Sequence, residues 1–154
     1  MTKRSKRVAI AIIGANGKSG DVDFSGAAYL YDTTTGQQIS RLTASDAAPY
    51  DKFGWSVAIS GSTVIVGARD EDLKGSAYVF DVSNPEVPVQ TAKLTSPERD
   101  TNDYFGVSVA ISELTAIVGS PRTYTVNYPP GEAYVYTPVP AIVAQPQSTT
   151  VTVG

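Results

Sequence analysis

The chain has 154 residues, enough for one ordinary domain, and its 42% hydrophobic and 18% charged residues give a globular balance rather than a disordered one. A net charge of −3 leaves no basic footprint for nucleic acid, and the basic cluster Lys3, Arg4, Lys6 and Arg7 reads as a solvated tail over residues 1–7. Histidine and cysteine are both absent, which excludes disulfides, thiolate nucleophiles, zinc ligation by those side chains and an imidazole general base.

In chain order, the longest apolar run is Val8 to Ile13. It is far shorter than the ~20 residues of a membrane-spanning helix and too short for a signal peptide. Gly14-Ala-Asn-Gly-Lys-Ser19 follows and has the outline of a phosphate loop. Ile12 stands where that motif needs a glycine, however, and no amphipathic helix comes after it. The same faults exclude a dinucleotide fold on Gly14, Gly17 and Gly20, so the stretch reads as a loop. Next come Ala28-Tyr-Leu-Tyr31, Arg41-Leu-Thr43 and Phe53-Gly-Trp-Ser-Val-Ala-Ile-Ser60.

From there the sequence repeats itself. Phe105-Gly-Val-Ser-Val-Ala-Ile-Ser112 is a near-copy of 53–60, displaced by 52 residues. Val64-Ile-Val-Gly-Ala68 and Ala116-Ile-Val-Gly-Ser120 share that displacement, and Ala11-Ile-Ile-Gly-Ala15 is an earlier version. Ala77-Tyr-Val-Phe80 and Ala133-Tyr-Val-Tyr136 match 28–31, and Lys93-Leu-Thr95 matches 41–43. The repeating unit therefore has four strand-like elements, A to D, beginning at the Phe-Gly pair. Gly54 to Gly67 and Gly106 to Gly119 both span 13 residues, a fixed interval that implies a tight connection. The B-to-C interval varies, as a surface loop does.

Element A alternates with period two. Phe53, Trp55, Val57 and Ile59 fall on one face, and Ser56, Ala58 and Ser60 on the other. Trp55 is accordingly expected in the core between sheets. The second face is small rather than charged, so both faces are expected to be buried. Short antiparallel strands at a period near 50 residues, apolar on both faces, fit blades stacked face to face better than a two-sheet sandwich. The expected class is all-β, a partial β-propeller of four-stranded antiparallel blades.

These motifs resemble the FG-GAP repeat, the blade of the integrin alpha-subunit head. The Phe-Gly pairs are Phe53-Gly54 and Phe105-Gly106, and the second signature is similar to Gly14-Ala15, Gly67-Ala68-Arg69 and Gly119-Ser120-Pro121. The resemblance implies a non-catalytic binding or adhesion scaffold, extracellular or at the cell surface, with a protein or glycan ligand and no nucleic acid. The units divide as an incomplete blade over 8–45, a full blade over 46–97 and an incomplete blade over 98–137. The third unit lacks a Leu-Thr copy of element D. Residues 138–154 read as a Pro-rich linker and the start of a truncated immunoglobulin-like domain. Such an arc exposes two apolar blade faces, through which copies could self-associate to complete a ring.

In a four-strand meander the B–C and D–A loops share one rim. Here they carry Asp21, Asp23, Asp70, Glu71, Asp72, Asp46, Asp51, Glu98, Asp100 and Asp103. Tyr50 and Tyr104 lie on the same rim and are the candidate ligand contacts beside Asp21, Asp23, Asp70, Glu71, Asp72 and Asp100. The same carboxylates also suit turns on a solvated rim. Asp51 and Asp103 recur two residues before each Phe-Gly, a structural position. No cofactor is expected. Ca²⁺ would use Asp70 and Asp72, one or two ligands rather than a full shell, and the A–B turns lack the carboxylates of a calcium loop. A carbohydrate-binding or carbohydrate-active propeller using rim carboxylates is the alternative.

Overall fold

The computed structural model describes residues 8–18, 22–97, 102–121, 131–137 and 148–152. It contains three antiparallel sheets. The first holds β1 (Ile10–Ala15), β2 (Ala27–Asp32) and β3 (Gln38–Leu42). The second holds β4 (Phe53–Ser60), β5 (Thr63–Ala68), β6 (Ser76–Asp81) and β7 (Val89–Leu94). The third holds β8 (Ser108–Ser112), β9 (Thr115–Ser120), β10 (Glu132–Tyr136) and β11 (Ser148–Thr152). In every sheet the strands pair in chain order, so each is a simple meander. The β4–β5 and β8–β9 connections are the two-residue turns Gly61-Ser62 and Glu113-Leu114, entered at φ 59° and 51°. Such tight hairpins explain the fixed A-to-B interval in the sequence.

The sheets lie face to face around two cores. One core joins Ala28, Leu30 and Leu42 of the first sheet to Phe53, Val64, Val66, Tyr78 and Phe80 of the second. The other joins Ile65, Ala77, Val79 and Leu94 of the second sheet to Phe105, Val118, Tyr134 and Tyr136 of the third. Alternate residues of β5 and β6 thus enter different cores, and the middle sheet is buried on both faces. That is the packing of neighbouring propeller blades, and the fold is a partial all-β propeller.

Glycines set how closely the blades approach. A Cβ placed on Gly14 would lie 2.1 Å from the Gly54 carbonyl oxygen, and one on Gly67 would lie 1.9 Å from that of Gly106. Both seams therefore press the Gly of one blade's Gly-Ala pair onto the Phe-Gly of the next. Gly54 and Gly106 adopt φ near 85°, open to glycine and costly for other residues. Each seam is also tied by backbone hydrogen bonds: Phe53 N–H donates to Ser25 O at 2.8 Å, and Phe105 N–H to Lys74 O at 3.0 Å. Ser56 Oγ adds a bond of 2.7 Å to Gly106 O.

Three expectations are corrected. Trp55 is not in a core: the pairing of β4 with β5 slips between Phe53 and Ser56, and this bulge turns Trp55 outward, 39% exposed. Element A alternates as expected only from Ser56 onward, with Val57 and Ile59 against one core and Ala58 against the other. The third sheet has a fourth strand after all. Residues 148–152, assigned from sequence to an immunoglobulin-like start, pair with β10 where β3 and β7 stand in their sheets. Its sequence, Ser-Thr-Thr-Val-Thr, is rich in strand-favouring Thr and Val but lacks the Leu-Thr signature that marks the other two copies. Helical conformation among the described residues is confined to one 3₁₀ turn, Glu71–Leu73, in the B–C loop.

Candidate functional site

The loops that enter β2, β4, β6 and β8 meet on one rim, as the meander requires. Backbone hydrogen bonds link them in sequence across the blades. Tyr50 N–H donates to Asp23 O (3.1 Å), Asp70 N–H to Asp51 O (3.3 Å), Leu73 N–H to Asp70 O (2.9 Å) and Asn102 N–H to Leu73 O (2.7 Å). The rim is thus one ordered strip rather than separate loops.

Left-handed residues recur along this strip. Phe24, Tyr50 and Lys52 have φ of 51°, 70° and 61° at the first seam; Leu73, Asn102 and Tyr104 have 61°, 67° and 50° at the second. Each costs about 1 kcal/mol relative to glycine. Phe24 and Leu73 both stand two residues before the glycine that opens element C. Three of these side chains are large, apolar or aromatic, and turned to solvent: Phe24 is 42%, Tyr50 59% and Leu73 64% exposed. The Phe24 and Tyr50 rings stack at 5.5 Å between centroids with an interplanar angle of 11°. Lys52 Nζ lies 5.1 Å from the Phe24 centroid. At the second seam Arg69 spans two blades, its guanidinium carbon 4.1 Å from the Trp55 centroid and 4.8 Å from that of Tyr104.

Beside the strip lies an ionic cluster, buried at Glu71 and open to solvent at Asp46. Lys93 Nζ donates to Asp46 (2.6 Å) and to Glu71 (2.7 Å). Tyr78 Oη donates to Asp46 (2.9 Å) and Ser76 Oγ to Glu71 (2.5 Å). Partial burial works to raise Asp46, but the bonds from Lys93 and Tyr78 outweigh it and hold the carboxyl below its usual range. Burial likewise works to lower Lys93, and its two carboxylate partners outweigh it, so the ammonium titrates above its usual value. Asp51 behaves oppositely. Burial raises its carboxyl, a bond from Ala48 N–H (2.7 Å) opposes that, and the nearby charges of Glu71, Asp46 and Asp72 add to the rise.

The carboxylates expected on the rim are therefore not equivalent. Asp23 and Asp72 face solvent, while Asp70 is bound by Arg69 Nε at 2.9 Å. Glu71, expected as a ligand contact, is only 4% exposed and is bound to Lys93 and Ser76. Asp51 and Asp103 are buried at the seams: Asp51 accepts the Ala48 N–H behind it, and the Asp103 carbonyl accepts Ser120 Oγ. Tyr104 is half-buried against Arg69. Asp21 and Asp100 lie outside the described residues, as does Glu98. No group of three acidic side chains placed for a metal occurs among the described residues, Asp70 and Asp72 included. The sequence reading missed Phe24 and Leu73. Their matched place before the glycine of element C was the available signal.

Fold and rim together define a blade-repeat protein whose neighbouring sheets are joined by paired glycines. A family model described as FG-GAP repeat matches residues 37–80 and 88–136, more than half of the chain. The chain belongs to the FG-GAP repeat family. Each matched stretch runs from the outer strand of one sheet to the third strand of the next, so the family's unit spans a seam rather than a single blade. No curated protein matches the chain. No helix among the described residues is long and apolar enough to cross a membrane.

Proposed function

We propose that this chain is a non-catalytic binding scaffold of a larger extracellular or cell-surface protein, and that its acidic rim engages a protein partner. The observation that carries this reading is the row of Phe24, Tyr50 and Leu73, held outward on a hydrogen-bonded strip at a cost in backbone free energy. Exposed aromatic and leucine side chains are anchors for apolar pockets on a partner. Asp23 and Asp72 between them favour a partner with basic residues at the edge of its contact. A sugar platform would use the Tyr50 ring, but Leu73 has no planar face to stack on a pyranose. Among the described rim carboxylates, Asp70 is engaged with Arg69, Asp46 and Glu71 with Lys93, and Asp51 with the Ala48 backbone, which disfavours a catalytic role for these four.

The test compares the wild type with a Tyr50→Ser/Leu73→Ser variant as bait against an array of surface and secreted proteins and an array of glycans. Protein ligands retained by the wild type and lost by a folded variant support the proposal. Glycan ligands alone transfer the rim to carbohydrate binding. Equal protein retention by both baits refutes the assignment of the rim.

A further inference from the structure

Arg69 follows the Gly-Ala pair that ends β5, and irregular backbone on two other elements brings rings to it. The β4 bulge turns Trp55 outward, and a left-handed φ of 50° sets Tyr104 just before Phe105. Their ring centroids lie 4.1 and 4.8 Å from the guanidinium carbon. The Nε edge donates to Asp70 at 2.9 Å. Among the described residues, the two Nη groups, the Trp55 indole N–H and the Tyr104 hydroxyl bond to no acceptor. The Arg69 side chain is 28% exposed, so a ligand can reach the Nη groups. The seam itself does not require this cluster. At the first seam Asn16 and Lys52 stand at the places of Arg69 and Tyr104. Gly14 nevertheless lies on Gly54 as Gly67 lies on Gly106, and Phe53 N–H is bound across the seam as Phe105 N–H is. Packing of the blades therefore does not account for the cluster.

We infer that Arg69 is a subsite for a carboxylate, an aspartate or glutamate side chain of the rim's protein partner. A guanidinium presents its N–H groups in a rigid plane that matches the two oxygens of a carboxylate. Here two ring contacts and Asp70 already fix that plane, so little side-chain freedom is lost when the ligand arrives. Asp70 beside the guanidinium and Asp72 in the same loop oppose a dianion such as phosphate more strongly than a single carboxylate. The inference rests on the reading of the rim as a protein-binding surface and specifies it further. The partner sets one acidic group at the second seam, among the basic residues that Asp23 and Asp72 favour.

Trp55 is the chain's single tryptophan, so its emission reports on this site alone. The experiment follows that emission while the full chain is titrated, at constant ionic strength, with N-acetyl-Ala-Glu-Ala-amide, N-acetyl-Ala-Gln-Ala-amide and inorganic phosphate. A saturable change is expected at millimolar concentrations of the glutamate peptide, with binding of the glutamine peptide weaker by about tenfold or more. Arg69→Gln should abolish the response, and Arg69→Lys, which keeps the charge but loses the planar fork, should weaken it severalfold. The Tyr50→Ser/Leu73→Ser variant should respond as the wild type does. Protein capture by the rim and this titration therefore fail separately: a silent rim with a bound glutamate peptide leaves the carboxylate subsite standing. No saturable change in the folded wild type, equal binding of the two peptides, tighter binding of phosphate, or an undiminished response in folded Arg69→Gln would overturn the inference.

Discussion

Replacing Gly67 by alanine tests the seam most severely. The new Cβ would sit 1.9 Å from Gly106 O and 2.4 Å from Ser56 Oγ. A carbon–oxygen contact is comfortable at about 3.3 Å, so the two blades must part by more than an ångström. The nearer obstacle is backbone, and no rotamer change relieves it. Overpacking of this kind costs about 1–3 kcal/mol, and parting the strands also removes the Ser56–Gly106 bond, worth about 1 kcal/mol. We therefore expect a loss of about 3 kcal/mol, a large share of the roughly 5–15 kcal/mol that holds a domain together. In a thermal melt followed by circular dichroism the midpoint should fall by about 10 °C. Gly17→Ala is the control, because a Cβ there meets nothing within 4 Å. It should change stability by less than about 0.5 kcal/mol. Equal melting of the two variants would refute the claim that the glycines set the approach of the blades.

Other perturbations address the ionic cluster. Lys93→Met leaves Glu71 buried without its cation and should cost about 2 kcal/mol in urea unfolding, with part recovered in the Lys93→Met/Glu71→Gln double variant. Three of the shifted groups, Asp46, Lys93 and Asp51, each give a pH dependence of stability. Asp46, lowered in the folded protein, gives stability that is present above its unfolded value of 3.8 and lost as pH falls through the folded one. Lys93, raised, gives stability that is full below 10.5 and lost as pH rises through its folded value. Asp51 is raised, so the folded state keeps its proton longer and stability declines as pH climbs from 3.8 through the folded value. Asp51→Asn keeps an acceptor for Ala48 N–H and removes that decline. It should be at least as stable as the wild type at pH 7, with the advantage vanishing near pH 3. An Asp51→Asn protein less stable at neutral pH would show that the charge is needed.

The fold was largely legible because the repeat displays its own constraints. Equal spacing between the Phe-Gly glycine and the Gly-Ala glycine marked a tight hairpin, and small residues opposite Val57 and Ile59 marked a strand packed against a core on each side. What period two could not reveal was the bulge at Gly54. A glycine at positive φ adds a residue to one strand and reverses the side of its neighbour, so Trp55 left the face shared by Phe53 and Val57. β11 was missed because its place in the third sheet is set by backbone pairing with β10 rather than by the signature of element D. The rim was half legible. Composition located its acids, but burial and partner choice decide which remain available, and that depends on Lys93 and Arg69 arriving from other elements. Phe24 and Leu73 passed for loop residues because only the folded chain shows left-handed backbone turning both outward.

The central claim is that each Phe-Gly lies directly on the Gly-Ala of the preceding blade. The most direct measurement is a nuclear Overhauser spectrum resolving the glycine Hα protons. A Cβ built on Gly106 would be 3.3 Å from Gly67 Cα, so strong cross-peaks are expected between the Hα protons of Gly67 and Gly106, with a matching set between Gly14 and Gly54. A folded protein with well-resolved glycine signals and neither set of cross-peaks would contradict the stacked-blade account.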